Sequence, residues 1–208
     1  MKFTLLISSC DSYLHLLPNF AALERKYFKV DCPKIFVGET EGADSFFSIL
    51  PGKIPWGARI LTALEEVKTE YVIFVLDDYF FSRQIKEEEL NGYISLIEKY
   101  NADKLILDGH HPDYRLRKLE ETDLYILENY SMYLTSIQFG LHKTDFLKKT
   151  IKSHYTPWDY EILGSIEVAA LDPKILLKIA PRPYFGALRR GQWEPGIDQF
   201  LEEEGLVK

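Results

Sequence analysis

The sequence predicts an α/β fold with a mixed central sheet, and three observations carry that expectation. Strand and helix patterns alternate through the first hundred residues. The continuous apolar run Val72–Leu76 reads as a strand buried on both faces and ends in the adjacent carboxylates Asp77 and Asp78. The second half is richer in short, irregular strand patterns, which suits the other wall of a cleft. At 208 residues the chain is long enough for one compact domain with a substantial core and short for two. The expected division is a single domain over 1–208, with a nucleotide-binding half over about 1–108 and a second half over about 109–208 that builds the other wall of the cleft.

Phe3 to Ser9 is a short apolar run and reads as the first strand. Residues 12–28 place Leu16, Leu17, Phe20, Leu23 and Tyr27 at helical spacing, with Pro18 marking an uncertain start. Pro33–Val37 is a second strand, closed by Gly38. The stretch Glu39–Pro55 keeps no period and reads as a long loop, a type that is often functional. Trp56–Lys68 is helical, with Leu61, Ala63, Leu64 and Val67 on its inner stripe, and the acidic-ended strand follows. Lys86–Tyr100 is an amphipathic helix whose Glu87-Glu88-Glu89 start suits the positive end of the helix dipole. Lys104–Asp108 is a strand. Tyr125–Leu127 and Ser136–Leu141 are shorter, antiparallel strands. Thr144 caps a helix over Asp145–Lys152, and another spans Asp159–Ala170. Leu176–Ile179 is a last strand, and Gly196–Glu204 a short acidic helix.

Composition narrows the function. A net charge of −7 argues against a nucleic-acid binder that neutralises phosphates. The two cysteines, Cys10 and Cys32, lack metal-ligand spacing and suit a reducing cytosol, although one disulfide stays open. The apolar start runs into Asp11-Ser12 rather than a cleavage site, and no stretch has the length of a membrane span. The expectation is a cytoplasmic protein, with peripheral membrane association through a partner.

Motifs exclude more than they select. There is no Gly-x-Gly-x-x-Gly, no P-loop and no Gly-x-Ser-x-Gly elbow. His110-His111 with Asp113 has metal-binding residue types, but adjacent histidines diverge, and a surface pair is the preferred reading. Asp77-Asp78 has two readings: a strand end capped by Asp residues, or a cation site at the end of the sheet where ligands bind. Two like charges beside an apolar wall favour a cation between them.

The order of helix Trp56–Leu64, Thr69-Glu70-Tyr71-Val72, apolar strand and acidic pair resembles small bacterial glycosyltransferases of the GT-A fold (family 2-like), the Rossmann-like nucleotide-diphospho-sugar transferase fold. Ser136–Leu141, Pro157–Ser165 and Arg189-Arg190-Gly191-Gln192-Trp193 extend the resemblance over most of the chain. It implies transfer of a sugar from a nucleoside diphosphate sugar to a hydroxyl of a glycan or lipid-linked acceptor in bacterial surface polysaccharide synthesis. The implied transfer is inverting and assisted by Mn²⁺ or Mg²⁺, at the inner face of the membrane. Asp78 is the expected metal ligand, with Asp77 on ribose or the metal shell; the family's usual Asp-x-Asp is here Leu76-Asp77-Asp78. Ser9, Asp11 and Glu39 are expected around the nucleoside, with a helix N-cap the equal alternative for Asp11. Arg59 is expected on diphosphate or ribose, or else in a surface salt bridge, and Arg189 and Arg190 on a closing basic loop, or else on a solvated turn. Glu161, ahead of Asp159, is the expected base; an acidic pair satisfying a helix start is the alternative for both. Trp158 and Gln138 are expected on the acceptor side.

Two other functions are the alternatives. A sugar nucleotidyltransferase wants a Gly-rich loop and a cation soon after the first strand, and Ser8–Leu17 offers neither. A non-catalytic nucleotide- or glycan-binding module of the same fold would keep the cleft without the chemistry.

Overall fold

A computed structural model describes residues 2–108 and 113–208. His110 and His111 lie outside the described residues. In chain order the elements are β1 (Phe3–Ser8), a 3₁₀ turn (Asp11–Leu16), α1 (Leu17–Tyr27), β2 (Phe28–Lys29), β3 (Lys34–Val37), β4 (Phe47–Ile49), α2 (Trp56–Glu66), β5 (Tyr71–Leu76), β6 (Tyr79–Phe81), β7 (Ile85–Lys86), α3 (Glu87–Tyr100) and β8 (Lys104–Asp108). Then follow β9 (Leu116–Lys118), β10 (Leu124–Leu127), β11 (Gly140–Lys143), α4 (Thr144–Thr150), α5 (Pro157–Asp159), a π turn (Tyr160–Gly164), α6 (Ser165–Ala169), β12 (Ile175–Ile179), β13 (Tyr184–Gly186), β14 (Leu188–Arg189), β15 (Gln192–Trp193) and α7 (Ile197–Glu203).

Among the described residues nine strands form one mixed sheet in the order β4-β3-β1-β5-β11-β8-β12-β10-β9. The first four run parallel. β11 lies antiparallel between β5 and β8, so a strand from the second half of the chain sits inside the first half's layer. As the apolar run of β5 requires, both faces are covered. Ile73 and Val75 pack with Phe20 and Leu23 of α1 and Ile94 and Ile97 of α3. Val72 and Phe74 pack on the other face with Ile60 and Leu64 of α2, Leu147 of α4 and Tyr160.

Several expected boundaries move, each for a local reason. Pro18 sits in the first turn of α1, where its missing N–H costs nothing, and the residues before it form a 3₁₀ turn instead of α-helix. The long loop before α2 contains β4, an edge strand that β3 templates. The expected strand over Ser136–Leu141 is regular only from Gly140, because the preceding residues leave the ladder to line the cleft. The helix expected from Asp159 begins earlier, since Thr156 and Asp159 close a capping box around Pro157.

Gly57 shows how closely the layers approach. A Cβ there would lie 2.0 Å from the Lys152 carbonyl, and its own N–H donates to the Tyr155 carbonyl at 2.9 Å. Gly92, on the exposed face of α3, has nothing within 4 Å of such a Cβ. The two glycines should therefore respond oppositely in thermal unfolding. Gly57→Ala should destabilise by about 3 kcal/mol through overpacking, whereas Gly92→Ala should stabilise by roughly 0.5–1 kcal/mol.

Candidate active site

The parallel register of β1 and β5 pairs Ser8 with Leu76, so the next residues, Ser9 and Asp77, emerge side by side at the carboxyl end of the sheet. Ser9 Oγ donates to Asp77 Oδ2 at 2.5 Å, and the Asp77 N–H donates to the Ser8 carbonyl at 3.2 Å. Asp77 is only 2% exposed. Burial pushes its carboxyl up to about 8, partly offset by the Ser9 hydrogen bond and reinforced by the Asp78 charge. Burial likewise pushes Asp78 up to about 6. Asp78 Oδ1 is buried and has no hydrogen-bond partner. Orphaned acceptors of this kind are rare and call for a ligand, a water or an ion.

Helix α2 braces this corner. Trp56 Nε1 donates to Ser8 Oγ at 3.0 Å, and Arg59 Nη1 donates to the Ser9 carbonyl at 2.7 Å. Arg59 also faces Glu39 at 3.7 Å, while Glu39 Oε2 accepts the Asp11 N–H at 2.9 Å. Arg59 is buried rather than on the surface, and its Nε has no partner.

A cleft of about 550 Å³ opens over the acidic corner. Ser9, Glu39, Arg59, Asp77, Asp78, Gln138, Trp158, Glu161 and Arg190 all line it, so residues far apart in sequence converge as a group. Glu161 lies in the π turn, where the Thr135 and Ser165 hydroxyls each donate at 2.5 Å to the Tyr160 and Glu161 carbonyls. Its Oε1 accepts the Ile137 N–H at 2.9 Å. Trp158 is 68% exposed at the rim, and Gln138 Oε1 accepts the Tyr184 hydroxyl.

Three expected residues stand elsewhere. Asp159 does not line the cleft: its carboxylate accepts the Thr156 N–H at 3.0 Å and hydroxyl at 2.8 Å, so the helix-start alternative describes its geometry. Those bonds hold its carboxyl below the ordinary value. Asp11 turns to Thr40, accepting its N–H at 3.0 Å and hydroxyl at 2.6 Å, which likewise lowers its carboxyl. Arg189 points to Glu194 at 3.9 Å, while Arg190 and Gly191 form the two-residue turn between β14 and β15. Both turn residues have positive φ, the pairing that tight hairpins favour, and this turn delivers Arg190 to the cleft.

Sequence reasoning missed Tyr13, Tyr79 and Ile137 in the lining. Tyr79 had a signal, since it directly follows the acidic pair; Ile137 had none. Among the described residues no group of three or more His, Cys, Asp or Glu side chains could hold a metal on its own. A cation here would need oxygens from a ligand, and the orphaned Asp78 oxygen fits that arrangement. Cys10 and Cys32 are both free thiols. Among the described residues no helix is long and apolar enough to cross a membrane.

No protein-family model matches the sequence, and no curated protein matches it. Solved structures do match. Residues 1–349 of S. aureus TarS in complex with UDP-GlcNAc align over 97% of this chain and 64% of that one, at 18% identity and a TM-score of 0.60. The chain spans 38% of the longer TarS structure. CMP:2-keto-3-deoxy-manno-octonic acid synthetase complexed with CTP aligns over 99% of this chain and 98% of its own, at 10% identity and a TM-score of 0.57. UDP-glucose pyrophosphorylase complexed with UDP-glucose aligns over 86% and 90%, at 13% identity and a TM-score of 0.51. At these identities the likeness is one of fold. The chain has the mixed-sheet, Rossmann-like α/β fold of these structures.

Proposed function

We propose that this chain is a glycosyltransferase that moves a sugar from a nucleoside diphosphate sugar to an acceptor hydroxyl. The observation that carries the reading is the buried, unpartnered Asp78 oxygen in one cleft with Glu161 and Arg190. Neighbours of this fold solved with UDP-GlcNAc, CTP and UDP-glucose support a nucleotide or nucleotide-sugar ligand in that cleft. Transfer is favoured over nucleotide activation because the segment after β1, Ser9–Leu16, leads into the 3₁₀ turn Asp11–Leu16 and carries no Lys, no Arg and no glycine-rich loop.

Asp78 would hold the divalent cation, Mn²⁺ or Mg²⁺, with Asp77 behind it. When bound, such a cation neutralises charge on the diphosphate as the glycosidic bond breaks. Ser9, Glu39 and Arg59 bind the nucleoside end of the donor, and Arg190 contacts the phosphates from the hairpin. Glu161 takes the proton of the acceptor hydroxyl as its oxygen attacks the anomeric carbon opposite the departing nucleoside diphosphate, a single displacement that inverts that carbon. Trp158 offers an exposed ring face to the acceptor sugar, with Gln138 beside it. Ile162 and Ile166, exposed one and two turns beyond Trp158, extend an apolar ridge from the cleft mouth. That ridge suits a lipid-linked acceptor at the inner face of a membrane.

Titration calorimetry with UDP, with and without Mn²⁺, together with a turnover screen of nucleotide sugars, tests the reading. Metal-linked binding that is abolished in Asp78→Ala is the expected result, and binding indifferent to metal would sink the donor site. Glu161→Gln should leave donor affinity intact and lower kcat by about 10²–10⁴-fold. A diphosphate-releasing reaction with a nucleoside triphosphate would instead point to a nucleotidyltransferase.

The acidic corner also sets a pH dependence for the ligand-free protein. Both carboxyls are raised in the folded state, so they bind protons more tightly folded than unfolded. Their stabilising effect is complete below about pH 4 and is lost as pH rises through about 6 and 8. The metal-free Tm should therefore fall between pH 5 and pH 8. Asp77→Asn should flatten that fall, and added Mn²⁺ should offset it; a Tm that is flat in wild type would contradict the assignment.

A further inference from the structure

A fully buried lysine lies beneath the cleft. Lys104 opens β8 with 0% exposure, paired across the sheet with His142 of β11 and Ile175 of β12. An apolar side chain there would avoid the cost of burying an ammonium group, so its presence calls for a role. Its Nζ donates to the carbonyl of Ser136. The next N–H, that of Ile137, donates to Glu161 Oε1 at 2.9 Å, and the Ile137 carbonyl accepts the Tyr79 hydroxyl at 3.5 Å. The Gln138 N–H folds back onto Ser136 Oγ at 3.1 Å. Ile137 and Gln138 line the cleft. The lysine thus grips, from below, the segment whose upper side seats Glu161.

Charges around it agree with this placement. Burial pushes Lys104 down to about 7, and the Glu161 carboxylate opposes that shift. His142, also 0% exposed, is held well below its usual range by burial and by the Lys104 charge, so it faces the ammonium as a neutral ring. Neither ring nitrogen of His142 has a hydrogen-bond partner. Glu161, on the π turn, is the carboxylate that answers the buried cation.

We infer that Lys104 is a positioning residue for the cleft: its ammonium group fixes the Ser136–Gln138 segment and thereby the seat of the Glu161 carboxylate. The kinetic consequence rests on the function proposed above, whereas the structural one does not. Lys104 itself is not among the residues that line the cleft.

Hydrogen exchange and pH–rate profiles of Lys104→Met and Lys104→Gln test the inference together. In Lys104→Met the peptide over residues 133–138 should exchange about tenfold faster or more, with peptides of β1 and β5 unchanged. Its kcat should fall about tenfold with the donor KM within about twofold. The acid limb of the profile should move to higher pH, because loss of a nearby cation makes Glu161 harder to ionise. Lys104→Gln, which can still donate to the Ser136 carbonyl, should regain part of the exchange protection yet show the same acid-limb shift. It also carries the measurement should the Met variant fail to fold. Wild-type exchange over 133–138 in the variants would overturn the inference, as would accelerated exchange spread equally over the whole sheet. Absence of any sugar transfer by the wild type would sink the proposed function and leave exchange to decide the role of Lys104.

Discussion

Two carboxyl groups at the end of β5 are buried beside an apolar sheet, and the cleft is arranged around keeping them there. Burial raises the free energy of each charged form, and the pair repel when both ionise. Ser9 meets part of that cost with its hydroxyl. Ser9 is in turn held through its carbonyl by Arg59, and Ser8 through its hydroxyl by Trp56. Helix α2 can supply both braces only because Gly57 lets it dock against the Lys152–Tyr155 turn. A contact on the far side of the sheet's covering layer therefore bears on the acidic corner.

The second half of the chain answers the first. β11 enters between β5 and β8, and the residues just before it leave the ladder to form a wall of the cleft. Glu161 is placed by a helix that widens by one residue where two hydroxyls pull on its carbonyls. A regular α-helix through the same residues would rotate its later side chains by roughly 100° relative to this path. The π turn is thus part of how Glu161 and the exposed Ile162–Ile166 ridge come to face different directions.

Much of this was legible in sequence wherever a local pattern sufficed. The apolar runs of β1, β5 and β8 and the amphipathic α2 and α3 stand close to where periodicity puts them. Asp159 illustrates a near miss: its spacing from Thr156 is a capping signature, and that local bond holds the side chain away from the cleft. β4 escaped notice because three residues between glycines have no period of their own and become a strand only by pairing with β3. The burial of Lys104 was equally hidden, since a lysine at a strand start reads as solvent-facing until β11 and β12 close over it. The fold itself is shared by proteins solved with a nucleotide sugar and with CTP. Separating those chemistries depends on cleft residues rather than on the sheet.

The β14–β15 hairpin is anchored at its root and reaches the cleft with its tip. The Ala187 N–H donates to the Asp78 carbonyl at 2.8 Å, and the Ala187 carbonyl accepts the Glu194 N–H at 2.9 Å. The reversal itself uses only Arg190 and Gly191. Such an arrangement is modular: lengthening the reversal changes what reaches over the cleft without disturbing the strand pairing below. Divergence in ligand choice can then accumulate at the tip, because each loop-length doubling costs only about 0.6 kcal/mol in closure entropy. The acidic corner that the hairpin roots upon stays fixed.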